Sequence, residues 1–174
     1  MKKIGLLSDT HGFLDPAVFT QFSECDEVWH AGDFGSPGLV DKLALFKPLK
    51  GVYGNIDDTS IRTRFAETLV FECENIKVMM QHIGGYPPRY DPATRIVLMK
   101  EKPKLFIAGH SHILKIQFDA ALVCLYINPG AAGRHGWHKM RTIVRFAIDG
   151  DQIKNCEVIE LGSRSATPSA GSEF

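Results

Sequence analysis

Five apolar runs in this chain each end at a polar residue or motif of a kind that binds cations. Ile4–Leu7 leads into Asp9-Thr10-His11. Val28-Trp29 leads into Gly32-Asp33, and Leu49–Tyr53 into Gly54-Asn55-Ile56-Asp57. Val78-Met79-Met80 leads to a lone His82, and Leu105–Ala108 to Gly109-His110-Ser111-His112. Runs this short read as buried strands. In an α/β sheet the carboxyl ends of the strands form one functional rim. The chain is therefore constrained to a fold that gathers distant residues at one edge. Gathered there, Asp9, Asp33, Asn55, His11, His82, His110 and His112 make a donor set suited to two adjacent divalent ions. Paired ions of this kind point to phosphoester hydrolysis.

The order of elements sets the class. Strands at Ile4–Leu7, Glu27–His30 and Leu49–Tyr53 alternate with helices from Asp15 to Phe22 and from Pro37, the latter capped by Ser36. From Thr68 onward hairpins dominate. Thr68–Cys73 turns at Glu74-Asn75 into Ile76–Gln81. Ile113–Phe118 pairs with Leu122–Ile127, and Thr142–Ile148 with Gln152–Ile159 around Asp149-Gly150. A helix at Pro92–Lys100 and a strand at Leu105–Ala108 lie between. The expectation is an α/β sandwich with a mixed sheet rather than a purely doubly wound fold.

Each motif alone has an ordinary explanation. Taken alone, Asp9 reads as a helix cap and His11 as a loop histidine. Gly32-Asp33 and Gly54-Asn55 are common turn pairs, with Asp57 capping a segment near Thr59. A lone histidine such as His82 is more often hydrogen-bonded than metal-bound. Gly109-His110-Ser111-His112 is the strongest signal, because two histidines flank one residue directly after a strand. The joint pattern carries the weight, since chance must otherwise account for every motif at a strand end.

Composition bounds the partners. At 174 residues and 44% hydrophobic, the chain suits one domain, read as residues 1–161. Its 20 basic residues balance 20 acidic ones, so neither stable nucleic-acid binding nor membrane attachment is expected. The apolar start ends at Ser8-Asp9, too early for a secretory core. Cys25, Cys73, Cys124 and Cys156 form no close pair and read as reduced, mostly buried thiols of a cytoplasmic protein. Residues 162–174 are small and polar and read as a flexible or vector-derived tail.

The ordered set D-x-H, G-D, G-N-x-D, H and G-H-x-H resembles the calcineurin-like metallophosphoesterases, within them the small single-domain phosphodiesterases of bacteria and archaea. The resemblance implies a four-layer α/β/β/α sandwich with two mixed sheets. It implies that Asp9, His11 and His112 bind one metal ion, that Asn55, His82 and His110 bind a second, and that Asp33 bridges them and is catalytic. The ions implied are manganese, iron, zinc or nickel. The activity implied is hydrolysis of a small or nucleotide-like phosphate ester by in-line attack of a hydroxide held between the ions. Many relatives place a His directly after the metal-binding Asn, where this chain has Ile56. His135 and His138 are substitutes for that proton donor, and Arg134 and His135 are candidate phosphate contacts. His30 supports the site or packs. A homo-oligomer is a reading that the resemblance alone allows. The alternative is a weak or inactive interaction scaffold of the same fold, with Phe13, Phe34, Tyr86 and Tyr90 as an exposed patch.

Overall fold

The computed structural model describes residues 1–165. One sheet orders β12 (Gln152–Ser163), β11 (Met140–Asp149), β1 (Lys2–Leu7), β2 (Glu27–His30) and β3 (Leu49–Gly51). The other orders β4 (Thr68–Cys73), β5 (Ile76–Gln81), β8 (Leu105–Ile107), β10 (Cys124–Asn128) and β9 (Lys115–Asp119). Both are mixed. β1, β2 and β3 run parallel, as do β5, β8 and β10, with antiparallel neighbours outside them. The interior strands β2 and β8 are buried along their whole length, as strands covered on both faces must be.

Three apolar clusters define the layers. Ile4, Leu6, Trp29, Val78, Met80 and Ile107 belong to the cluster between the sheets. On the outer face of the first sheet, Leu7 and Val28 pack with Val18 of α1 (Ala17–Gln21), Leu39, Val40 and Leu43 of α2 (Pro37–Phe46) and Ile61 of α3 (Thr59–Arg62). On the outer face of the second, Met79 and Phe106 pack with Leu98 of α4 (Pro92–Glu101). The architecture is thus α/β/β/α, as expected.

Local signals act as their chemistry dictates. Ser36 sits in extended backbone and its side chain accepts the Leu39 N–H. Asp91 caps α4 through the Ala93 and Thr94 N–H groups. Several details differ from expectation. Asp58, not Asp57, caps α3. β3 ends at Gly51, after which Val52 makes only an isolated bridge to Ala66. β12 continues to Ser163, because Gly162 and Ser163 pair with Arg141 and Met140. Residues 166–174, the rest of the expected tail, lie outside the described residues. Tyr86-Pro87-Pro88-Arg89-Tyr90 forms a small hairpin, β6 (Gly85–Tyr86) with β7 (Arg89–Tyr90). The aromatic patch is not formed. Phe34 is fully buried, stacked on His30 and Phe65, and the Tyr90 hydroxyl donates to Asp119. Cys25, Cys73 and Cys124 are buried, Cys156 is exposed and all are free thiols.

Glu27 anchors the start of β2. Its buried carboxylate accepts from Lys2 Nζ (2.6 Å), Lys50 Nζ (2.6 Å) and Trp29 Nε1 (2.8 Å). Burial opposes ionisation, but these donors outweigh it and bring the pKa from 4.5 to about 2. A lowered folded value means stabilisation that is full above pH 4.5 and is lost as pH falls through about 2. Glu27→Gln is therefore expected to lower the urea midpoint at pH 7, and the gap from wild type to narrow as pH falls across that window. Urea unfolding at pH 7 and pH 3 checks it, and a constant gap refutes it.

Candidate metal centre

The turns after β1 and β2 are laced together by backbone. Asp9 N–H donates to Gly32 O (3.0 Å) and His11 N–H to Asp33 O (3.0 Å). Five of the seven expected ligands hold left-handed backbone: Asp9 (φ 54°), His11 (46°), Asp33 (58°), His110 (67°) and His112 (58°). Each such non-glycine residue costs about 1–3 kcal/mol and persists only where its surroundings impose it. Hydrogen bonds from the Asp9, His11 and His110 N–H groups hold three of these turns in place.

Asp9 is the centre of the arrangement and fully buried. Its Oδ2 accepts from Ser8 Oγ (2.6 Å) and from the His110 N–H (3.1 Å). Its Oδ1 has no hydrogen-bond donor. Three imidazole nitrogens surround that atom instead: Nε2 of His112 at 3.1 Å, of His82 at 3.9 Å and of His11 at 4.0 Å. The His11 and His82 nitrogens are likewise buried without a partner. Buried polar atoms left unpaired are costly and rare. One divalent cation among them would satisfy all three, so the residues present fit a metal site.

Asp33 faces the same space. Its Oδ1 accepts the Ile56 N–H (3.1 Å). Its Oδ2 lies 3.2 Å from His82 Nε2 and 3.4 Å from His11 Nε2. The donor atoms fall into two trios that share Asp9: Asp9, His11, His112 and Asp9, Asp33, His82, each with atoms within 4.8 Å of one another. Asn55 and His110 stand beside them, Oδ1 and Nδ1 being 3.0 Å apart, and the His110 ring packs on His82 at 5.3 Å. All seven expected residues meet at this rim. The second trio pairs His82 with both carboxylates, whereas the resemblance implies a grouping with Asn55 and His110.

Supporting residues orient the ligands. His82 Nδ1 meets Ala31 O at 2.7 Å. In the neutral ring Nδ1–H donates there, leaving the Nε2 lone pair for a cation. Burial lowers the His82 pKa, but the Asp33 and Asp9 carboxylates outweigh it and hold the ring above its ordinary value. Burial brings His11 and His110 below theirs, which favours the neutral, metal-binding form. Gly32 must be glycine, since a Cβ would overlap the His82 ring, and at Gly54 a Cβ would overlap the Asp33 carboxylate. His30 proves to be a positioning residue. Its Nδ1 accepts the Gly32 N–H (3.1 Å), so its Nε2–H donates to Thr10 Oγ1 (2.9 Å), whose hydroxyl donates to Phe34 O (3.0 Å). Complete burial lowers its pKa to about 3, so it stays neutral.

Two further residues brace the site. Asp57 is almost wholly buried and accepts the N–H groups of Phe34 (3.2 Å), Gly35 (2.9 Å) and Gly54 (2.8 Å). It thus ties the Asp33 turn to the Asn55 turn. Asn128 donates to Gly109 O (2.8 Å) and to Ser111 Oγ (3.1 Å), bracing the histidine loop. The G-N-x-D spacing was the available signal for Asp57. Its partners are distant in sequence, so a local cap was the reading at hand.

The candidate phosphate contacts separate. The His135 ring packs on His11, with centroids 4.7 Å apart. His135, His110 and His112 line a hollow of about 390 Å³. The Arg134 guanidinium lies over the Phe13 ring at 4.2 Å, and Arg134 is not among that hollow's lining residues. His138 Nε2 meets Gly133 O at 2.9 Å.

Residues 1–151 match the calcineurin-like phosphoesterase superfamily domain. A protein of Methanothermobacter thermautotrophicus named "Probable metallophosphoesterase" is 30% identical over 166 residues, covering 92% of this chain and 93% of its own. Among solved structures, an archaeal phosphodiesterase superposes with TM-score 0.75 at 20% identity, covering 91% of this chain and 99% of its own. Vps29 of Chaetomium thermophilum superposes with TM-score 0.73 at 16% identity, covering 92% and 97%. These two likenesses show the fold. Among the described residues no helix is long and apolar enough to cross a membrane.

Proposed function

The chain belongs to the calcineurin-like phosphoesterase superfamily, and from that premise we propose that it is a phosphodiesterase dependent on two divalent ions. The observation that carries the reading is Asp9 Oδ1, buried, without a donor and ringed by three histidine nitrogens. Asp9, His11 and His112 would hold one ion, and Asn55, His82 and His110 the other, with Asp33 between. Ions held there supply Lewis acidity and an activated water for attack on phosphorus.

The chain's own residues prepare that chemistry. The Ala31 carbonyl fixes the His82 ring, and the Ile56 N–H holds one Asp33 oxygen while the other faces His82 and His11. Hydrolysis joins a water oxygen to phosphorus, breaks the bond to one ester oxygen and delivers a proton to that oxygen. With Ile56 after Asn55, His135 is the proposed source of that proton, as an exposed imidazole packed on His11.

Protein stripped with chelator is expected to lose hydrolysis of bis(p-nitrophenyl) phosphate. Manganese is expected to restore it, with the matching monoester cleaved more slowly. Silence toward both esters with manganese, nickel, iron and zinc would refute the reading and favour an interaction scaffold.

A further inference from the structure

The segment after Gly133 carries Trp137, whose relative exposure is 99%. Tryptophan is normally well buried, so an indole left wholly in water calls for a use. Its backbone is firmly seated. Ala132 and Gly133 donate to Ser8 O (2.9 Å) and Asp9 O (3.0 Å). Gly136 has φ 118°, and a Cβ there would overlap the His112 ring. His135 packs on His11. The backbone that carries the indole is therefore held beside two candidate ligands, His11 and His112.

Trp137 and Ile113, the latter 66% exposed, both line the hollow of about 390 Å³ that takes in His110 and His112. That volume is at the low end of small-molecule sites, roughly 300–1,000 Å³, and suits one ring-bearing arm of a substrate. Ser111 and Ile113 also line a second hollow of about 220 Å³, with Tyr86, Lys115 and Tyr126. The two spaces meet at Ile113, which leaves room for a second arm.

We infer that Trp137 and Ile113 form a subsite for a flat aromatic group on the phosphate ester, so that the substrate class is an aryl or nucleoside phosphodiester. The inference rests on the phosphodiesterase reading. Metal ligands grip the phosphoryl group common to all esters and do not tell their arms apart. An exposed indole does, because any flat ring stacks on it and a methyl group does not.

The test titrates zinc-loaded protein with phenyl phosphate, thymidine 5′-phosphate and methyl phosphate, following tryptophan fluorescence and calorimetric affinity. Trp29 is fully buried, so quenching by a bound ring reports on Trp137. Both ring-bearing phosphates are expected to quench the emission and to bind about tenfold more tightly than methyl phosphate. Trp137→Ala should erase that advantage and Trp137→Phe should retain most of it. A larger advantage for thymidine 5′-phosphate than for phenyl phosphate assigns the subsite to nucleosides, and an equal one to aryl groups in general. Equal affinities for all three phosphates, or an advantage that survives Trp137→Ala, overturns the inference. A change in oligomeric state as the sole effect of Trp137→Ala also overturns it and makes the indole a contact between copies. Hydrolysis of methyl p-nitrophenyl phosphate separates the two levels. If it proceeds while ring discrimination is absent, only the subsite fails. If the metal-loaded protein hydrolyses no ester, the phosphodiesterase reading fails and this inference with it.

Discussion

Asp33→Asn is expected to remove the proposed metal-dependent hydrolysis and to leave the fold in place. Asp33 presents Oδ2 to both His82 and His11, between the positions proposed for the two ions. The amide keeps an oxygen for the Ile56 N–H and loses the charge that would hold cations. Asparagine also tolerates the left-handed backbone at this position, φ 58°, better than alanine does, so the asparagine variant separates chemistry from strain. The expected loss in kcat/KM is about a thousandfold or more, some 4 kcal/mol of transition-state stabilisation. Steady-state kinetics with manganese, metal content and circular dichroism together check it. A variant that retains the wild-type rate and metal content would remove Asp33 from the centre.

Asp57→Ala is expected to damage stability and activity together. It would leave the N–H groups of Phe34, Gly35 and Gly54 without their acceptor. Unsatisfied buried donors cost about 1–3 kcal/mol each. Part of that returns through relaxation, so the net loss is put at about 3 kcal/mol, roughly 10 °C in Tm for a chain of this size. The Asp33 and Asn55 turns lose their tie, so turnover falls even in the folded fraction. Asp57→Asn keeps one acceptor oxygen and should fall between the two. Thermal melts and kinetics below the melting range measure both effects. A normal Tm with Asp57→Ala would make the three hydrogen bonds incidental.

The gathering of the candidate residues was legible because its signal is local. A buried strand announces itself by an apolar run, and the residues just past its end sit at the rim whatever the loop conformation. All seven expected ligands therefore meet, from Asp9 to His112. The features that the sequence hid depend on distant partners. Asp57 and Asp58 are adjacent and chemically alike. Only the approach of Gly35 and Phe34 makes one a tie between turns while the other caps α3. Gly162-Ser163 carries no apolar pattern and becomes strand because β11 offers it Met140 and Arg141. Phe34 comes directly after a polar motif and reads as exposed, yet it fills the space between His30 and Phe65. The β6–β7 hairpin is too short to show periodicity.

The left-handed backbone at Asp9, His11, Asp33, His110 and His112 has an evolutionary consequence. At these positions glycine, and to a lesser degree asparagine, relieves strain that histidine and aspartate carry. Selection that keeps aspartate or histidine at these five residues thus works against the local preference of the backbone. Glycine at Asp9 or Asp33 would return that strain but forfeit the acceptor that holds the His110 or Ile56 N–H, so each carboxylate is kept in place by its neighbours as much as by any cation.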